Sequence, residues 1–131
     1  MTGLGPDDVA LLRGRSFGHF VTLNPDGTPH STPVWIDVDE AGNILVNTAV
    51  GRRKDRDVRR DPRVAVSVHE QENPYRWLSV NGTVVDMVEG DEALAHIDAL
   101  SRRYGGKPWE PVQGQVRVRY AIRPDRIARS G

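Results

Sequence analysis

The sequence predicts a mainly β domain: an antiparallel barrel, closed or nearly closed, with a few short helices. Two observations carry this. About six or seven strand-like segments follow one another, joined by short turn signals. No βαβ rhythm, internal repeat or Gly/Ser-rich linker interrupts them. At 131 residues the chain fits one domain, spanning 1–131. Its aromatics are three Trp, three Tyr and two Phe, so the core must rest on Val, Ile, Leu and Ala.

Pro6-Asp7-Asp8 starts a short helix, with proline suited to the first helical position and acids to the positive end of the dipole. SFGHFVTL reads as a strand, and Asn24-Pro25-Asp26-Gly27 as the turn of a hairpin. TPHSTPVWIDVD returns, with Pro29 and Pro33 marking an edge, a strand start or a bulge, since neither can donate to a ladder. After the Glu40–Asn43 turn comes the strand ILVNTAV. The basic segment that follows predicts two helical turns over Asp55–Arg60, stopped at Asp61 by Pro62. VAVSVHE alternates, with Val64, Val66 and Val68 on one face. RWLSVNGTVVDMV is a long strand bent or bulged near Asn81-Gly82. GDEALAHIDALSRRYGG is the clearest helix, with Leu94, Ile97, Leu100 and Tyr104 on one stripe and glycines as its stop. KPWEPVQG is an irregular loop. The last strand, QVRVRYAIRP, alternates Val116, Val118, Tyr120 and Ile122 against Arg117, Arg119, Ala121 and Arg123, which predicts a solvated arginine face.

Composition narrows the function classes. The chain has no cysteine, which removes disulfides, thiolate zinc sites and cysteine nucleophiles. No apolar run approaches a membrane span, and the N-terminus reads as no signal peptide, so a cytoplasmic protein is expected. A net charge of zero argues against a general nucleic-acid binder. There is no dinucleotide-type glycine motif, no P-loop and no nucleophile elbow. His19, His30, His69 and His96 share no metal-ligand spacing, and each is expected on a strand or helix surface. No metal site is expected, and no catalytic residue can be assigned. Such a chain can still be an enzyme if a bound cofactor carries the hard step.

The charge is local. Gly51–Arg63 holds seven of the 18 Lys and Arg residues against three acids. Gly51 at the end of a strand permits a tight turn. Arg52 and Lys54, two apart, share a face in extended backbone and suit one phosphate, Arg as a fork and Lys as a point charge. The helix N-terminus and the Thr48 hydroxyl could join them. Spacing alone leaves a second reading equally open: a solvated basic helix with internal pairs, Asp55–Arg59 and Asp57–Arg60.

Several stretches together resemble a known family: Gly18–Leu23 with the Asp26-Gly27 turn, Pro29–Trp35, and VNTAVGRRKDRDVRRDPRVAVSV. The most specific part is Arg52-x-Lys54-x4-Arg59-x-Asp61-Pro62-x-Val64, joined by Arg76-Trp77-x4-Gly82 and the Asp91–Tyr104 helix. Over roughly residues 7 to 128 the chain resembles the pyridoxamine 5′-phosphate oxidase-like split β-barrel family. It is most similar to the short actinobacterial branch of enzymes that use the deazaflavin coenzyme F-420.

The resemblance implies an FMN-binding split β-barrel, antiparallel and Greek-key-like, forming a homodimer with two cofactor sites at its interface. Arg52 and Lys54 would bind the cofactor phosphate at the Gly51 turn. Thr32, Pro33, Val34 and Trp35 would lie along the tricyclic ring, and Asn47, Thr48 and Ala49 along the chain between ring and phosphate. Trp77 would cover the ring from the partner subunit. Arg53, Arg56 and Arg60 would meet the anionic tail of F-420. The function implied is hydride transfer from reduced F-420 to an electron-poor unsaturated small molecule, with Tyr75 and His30 as candidate proton donors. The alternatives are an FMN-dependent oxidase or reductase of the same fold, or a non-catalytic flavin or haem carrier using His30 or His69.

Overall fold

Apolar alternation makes the strands, and turn chemistry sets their order. The computed structural model describes residues 3–130. Its elements are α1 (Pro6–Leu12), β1 (Gly18–Leu23), β2 (Pro29–Val34), β3 (Asp37–Val38), β4 (Ile44–Ala49), α2 (Arg53–Arg60), β5 (Arg63–His69), β6 (Trp77–Glu89), α3 (Asp91–Gly105) and β7 (Arg117–Arg129). The strands form one sheet in the order β2-β1-β5-β6-β7-β4-β3, and every pairing is antiparallel. The edge strands β2 and β3 are separated in the chain only by Trp35 and Ile36. Val34 and Asp37 can therefore be at most ~11 Å apart, so the sheet must curl until its two edges nearly meet. The edges do not pair with each other, and the result is a barrel with a split. Pro29 and Pro33 sit on the β2 edge, where a missing N–H breaks no ladder.

The curl is built into β6 and β7, the two 13-residue strands. Their register shifts between Asn81 and Gly82 and again between Val84 and Asp86. A side chain on Gly82 would place its Cβ 2.6 Å from the Arg123 carbonyl oxygen and 2.7 Å from Ile122 Cγ2. Only glycine lets the strands approach this closely at the bend.

The inward faces of the strands supply Phe20, Val46, Val66, Val68, Leu78, Val80, Tyr120 and Ile122, all essentially inaccessible to solvent. The alternation predicted for the last strand holds at Val118, Tyr120 and Ile122. It fails at its first pair. Val116 precedes the strand and is exposed, whereas Arg117 is only 6% exposed. The predicted solvated arginine face is thus broken at Arg117, for a reason that lies in the cleft described below. The α3 stripe also shifts. Ala93, Ile97 and Leu100 pack inward, while Leu94 lies at the exposed margin. Tyr104 lies edge-on to Phe17 and stacks on Trp35. α2 begins at Arg53, two residues earlier than the proline-bounded pattern suggests. Among the described residues no helix is long and apolar enough to cross a membrane.

Candidate functional site

The turn from β4 into α2 is fixed from beneath by one buried carboxylate. Gly51 takes φ +91°, a left-handed conformation that favours glycine. Its N–H donates to Asp55 Oδ2 at 2.9 Å. Asp55 is 1% exposed and also accepts from Tyr120 Oη at 2.6 Å and from Arg59 Nε at 2.9–3.0 Å. Burial would push the Asp55 carboxyl up, but the Tyr120, Gly51 and Arg59 hydrogen bonds outweigh it and hold it below its ordinary range. The Tyr120 hydroxyl is pushed up, by burial first and then by its bond to Asp55. A neutral phenol, a guanidinium and a backbone N–H thus share one charged acceptor, and the loop above them is held in place.

Directly above this hub is a cleft of about 220 Å³. Arg52, Lys54 and Arg117 line one end, and none of the three has an acidic partner among the described residues. Their mutual repulsion registers in their acidities. Burial lowers the Lys54 ammonium, and the charges of Arg52 and Arg117 lower it further. Arg117 comes down to about 10, through burial first and Arg52 second. Thr48 Oγ1, on the floor of the same end, is buried without a hydrogen-bond partner. Three cations without acidic partners beside a buried, unpartnered hydroxyl are chemistry that suits an anion. Arg52 caps α2 and Lys54 sits in its first turn, so they converge across a helix start rather than along extended backbone.

The other end of the cleft is aromatic and aliphatic. Pro33, Val34, Trp35, Phe17, Ile97 and Trp109 supply its apolar lining. The Trp35 ring meets Trp109 edge-on at 6.4 Å. Trp109 is pinned through its backbone N–H to Asp98 Oδ1 at 2.8 Å, and the Arg117 guanidinium lies 4.9 Å over its ring. The cleft thus joins apolar and aromatic side chains to a cluster of cations, chemistry that suits a planar ring carrying a phosphate-bearing chain.

Of the residues read from the sequence, Pro33, Val34, Trp35, Asn47, Thr48, Arg52 and Lys54 line this cleft. Gly51 shapes the turn below it, and the Ala49 carbonyl accepts the Arg52 N–H at 3.3 Å. Thr32 lies further along β2, opposite Phe20 of β1. Arg53, Arg56 and Arg60 occupy another face of α2. They line a separate groove of about 530 Å³ against the β1–β2 turn. There Arg53 holds Asn24 Oδ1 at 2.6 Å, and Arg60 holds Asp57 at 2.9 Å and the Leu23 carbonyl. The predicted pairs Asp55–Arg59 and Asp57–Arg60 are both present, so each reading of the basic segment describes part of it. Trp77 begins β6 opposite His69 and lies outside the cleft, as do His30 and the 85% exposed Tyr75. Phe17, Ile97, Trp109 and Arg117 carry no motif that marks them in the sequence. For Arg117 the only signal is its place next to the loop that brings Trp109 over it.

His96 corrects the expectation of surface histidines. It is buried, with Nδ1 3.2 Å from Asn47 Nδ2 and Nε2 3.2 Å from Asp37 Oδ2. Arg103 reaches the other Asp37 oxygen at 2.8 Å. Burial would raise the Asp37 carboxyl, but His96 and Arg103 outweigh it and bring it down to about 2. A carboxyl lowered on folding stabilises above its unfolded range and loses that contribution as pH falls through its folded value. Asp37 should therefore contribute about 2 kcal/mol above pH ~4, lost between pH ~4 and ~2. Unfolding midpoints of the wild type and Asp37→Asn, measured across that window, should converge at its acid end. No group of three His, Cys, Asp or Glu able to hold a metal occurs among the described residues.

A curled antiparallel sheet split between its edges, with a cation cluster at a strand-to-helix turn, defines a split barrel of the flavin- and deazaflavin-binding, oxidoreductase type. The family model for pyridoxamine 5′-phosphate oxidase matches residues 5–128. The chain belongs to that family. Among solved structures it is similar to an F-420 reductase, with 34% identity and a TM-score of 0.80 over 91% of this chain and 94% of that one. It is similar also to a conserved hypothetical protein of Mycobacterium tuberculosis, at 26% identity and TM-score 0.76 over 99% and 86% of the two chains. HupZ of Group A Streptococcus shares the fold, at 11% identity and TM-score 0.67 over 96% and 93%. No curated protein matches the chain.

Proposed function

We propose that this protein is an F-420-dependent oxidoreductase, passing hydride from the reduced deazaflavin to an electron-poor unsaturated small molecule. The observation that carries the proposal is the unpaired triad Arg52, Lys54 and Arg117 over the orphaned Thr48 hydroxyl, joined to an aromatic slot. Support for the deazaflavin comes from the similarity to an F-420 reductase at 34% identity. Bound there, the reduced cofactor supplies the hydride. Arg52, Lys54 and Arg117 would hold its phosphate, Pro33, Val34 and Trp35 would hold its ring, and Trp109 and Phe17 would help exclude water. Arg53, Arg56 and Arg60, in their separate groove on α2, would meet its anionic tail. Arg56 is the cation in that groove without a hydrogen-bond partner among the described residues.

The cleft's 220 Å³ falls below the ~300–1,000 Å³ of common small-molecule pockets. In this reading one chain would cover one side of the ring and a second copy the other, as a homodimer, with Trp77 a candidate for that cover. The protein acts in the cytoplasm.

FMN is the second reading. The triad is compact and suits one phosphate monoester, and the remaining cations lie on a different face of α2. Fluorescence titration with each cofactor separates the two. We expect F-420 to bind at micromolar affinity or tighter, and its reduced form to be oxidised in single turnover by an enone or quinone. Sub-micromolar FMN binding with no F-420 binding would overturn the deazaflavin reading. Tight binding with no oxidation by any acceptor would point to a carrier.

A further inference from the structure

Asn47 lines the cleft, yet its amide is committed to the protein. One Nδ2 hydrogen goes to the Ala93 carbonyl at 2.8 Å and the other toward His96 Nδ1, while Oδ1 accepts from Arg117 Nε at 2.9 Å. The opposite amide orientation would face Oδ1 to a carbonyl and Nδ2 to an N–H donor, so the network allows one orientation only. With Nδ2 pointing at it, His96 Nδ1 must be the bare, accepting nitrogen. The ring proton is then on Nε2, where it donates to Asp37. Arg103 fixes Asp37 from α3 and also donates to the Ile36 carbonyl at 3.0 Å. A directed chain thus runs from α3 and β3 through His96 and Asn47 to the guanidinium in the anion site.

We propose that His96 is a positioning residue for the cofactor phosphate, acting through Asn47 on Arg117. This rests on the reading of the cleft as a phosphate site. Arg117 carries its charge among two other cations, and nothing acidic restrains it there. Among the described residues, the only polar ties of its guanidinium are Asn47 Oδ1 and Gln115 Oε1, the latter at 3.2 Å. If the Asn47 amide turned over, its Nδ2 would oppose Arg117 Nε, and the guanidinium would swing off the phosphate. The Ala93 carbonyl and the bare Nδ1 of His96, whose proton sits on Nε2 against Asp37, together oppose this.

A purely structural role, in which the same bonds only fasten α3 to the sheet, gives different results. We expect long-range nitrogen–proton NMR spectra of the unliganded protein to show the Nε2–H tautomer of His96. His96→Leu should weaken F-420 binding about tenfold while changing binding of its phosphate-free deazaflavin fragment less than about twofold. His96→Asn restores an acceptor near the Nδ1 position and should recover most of the loss. A proton on Nδ1 would overturn the proposal, and so would equal weakening of both ligands or no weakening by leucine. Should the wild type bind no F-420, the cofactor reading falls by itself. Inorganic pyrophosphate then serves as the probe of the cation cluster: leucine should weaken it about tenfold and asparagine should recover most of that loss. Equal pyrophosphate binding by wild type and His96→Leu would overturn the positioning role.

Discussion

Asp55→Ala should destabilise the protein by about 3–5 kcal/mol, the loss expected when one member of a buried charged network is removed. The Asp55 carboxylate is the shared acceptor of Tyr120 Oη, Arg59 Nε and the Gly51 N–H. Its removal leaves a fully buried phenol without a partner and frees a glycine turn held at positive φ. For a domain of this size the thermal midpoint should fall on the order of 10–20 °C. Asp55→Asn should recover only part of this, because one acceptor becomes a donor facing donors. The effect has a pH signature. Because the carboxyl is lowered on folding, its contribution is present above the ordinary carboxylate range and disappears as pH falls through its folded value. Calorimetric scans of wild type and variant should therefore differ most near neutrality and least in strong acid.

Arg117→Ala should have the largest effect on ligand binding of any single change in β7, weakening F-420 by at least about tenfold. A guanidinium in that position is costly to hold. It is buried, brought down to about 10, and faces Arg52 and Lys54 with no acid to offset them. On the proposed reading, a cofactor phosphate would relieve this repulsion, and that relief would be part of the binding free energy. The substitution also leaves Asn47 Oδ1 unpaired and removes the cation over Trp109, but it relieves the buried repulsion, so these effects offset and stability should change little. Arg117→Lys keeps the charge but loses the fixed fork and should fall between wild type and alanine. Equilibrium titration of the three proteins checks the order. The sequence predicts the opposite for this position, a solvated arginine whose loss changes little, which makes the result decisive for the role of the buried face.

The strands, the α3 boundaries and the bend at Gly82 are legible in the sequence because each follows from local rules: alternation, glycine stops and a residue without Cβ. The Gly51 turn is legible for the same reason, whereas the helix start is not: the proline-bounded pattern places it at Asp55 and the helix begins at Arg53. Arg117 is not, because alternation assigns it to the solvent face and only the loop carrying Trp109 folds back to bury it. His96 and Asp55 are not legible as buried network centres either. Their partners lie 49 to 65 residues away in the chain, at Asn47, Asp37 and Tyr120, and no local pattern records such pairings. Arg53 and Arg60 look equivalent to Arg52 in a basic run. Helical periodicity separates them onto another face of α2 once the helix begins at Arg53.

The central claim is that Arg52, Lys54 and Arg117 hold a cofactor phosphate. Calorimetric titration of wild type, Arg52→Ala and Lys54→Ala with F-420 and with its phosphate-free deazaflavin fragment tests it most directly. Each variant should lose roughly 1–3 kcal/mol of affinity for F-420 and almost none for the fragment. Dissociation constants for F-420 unchanged from wild type in both variants would contradict the account.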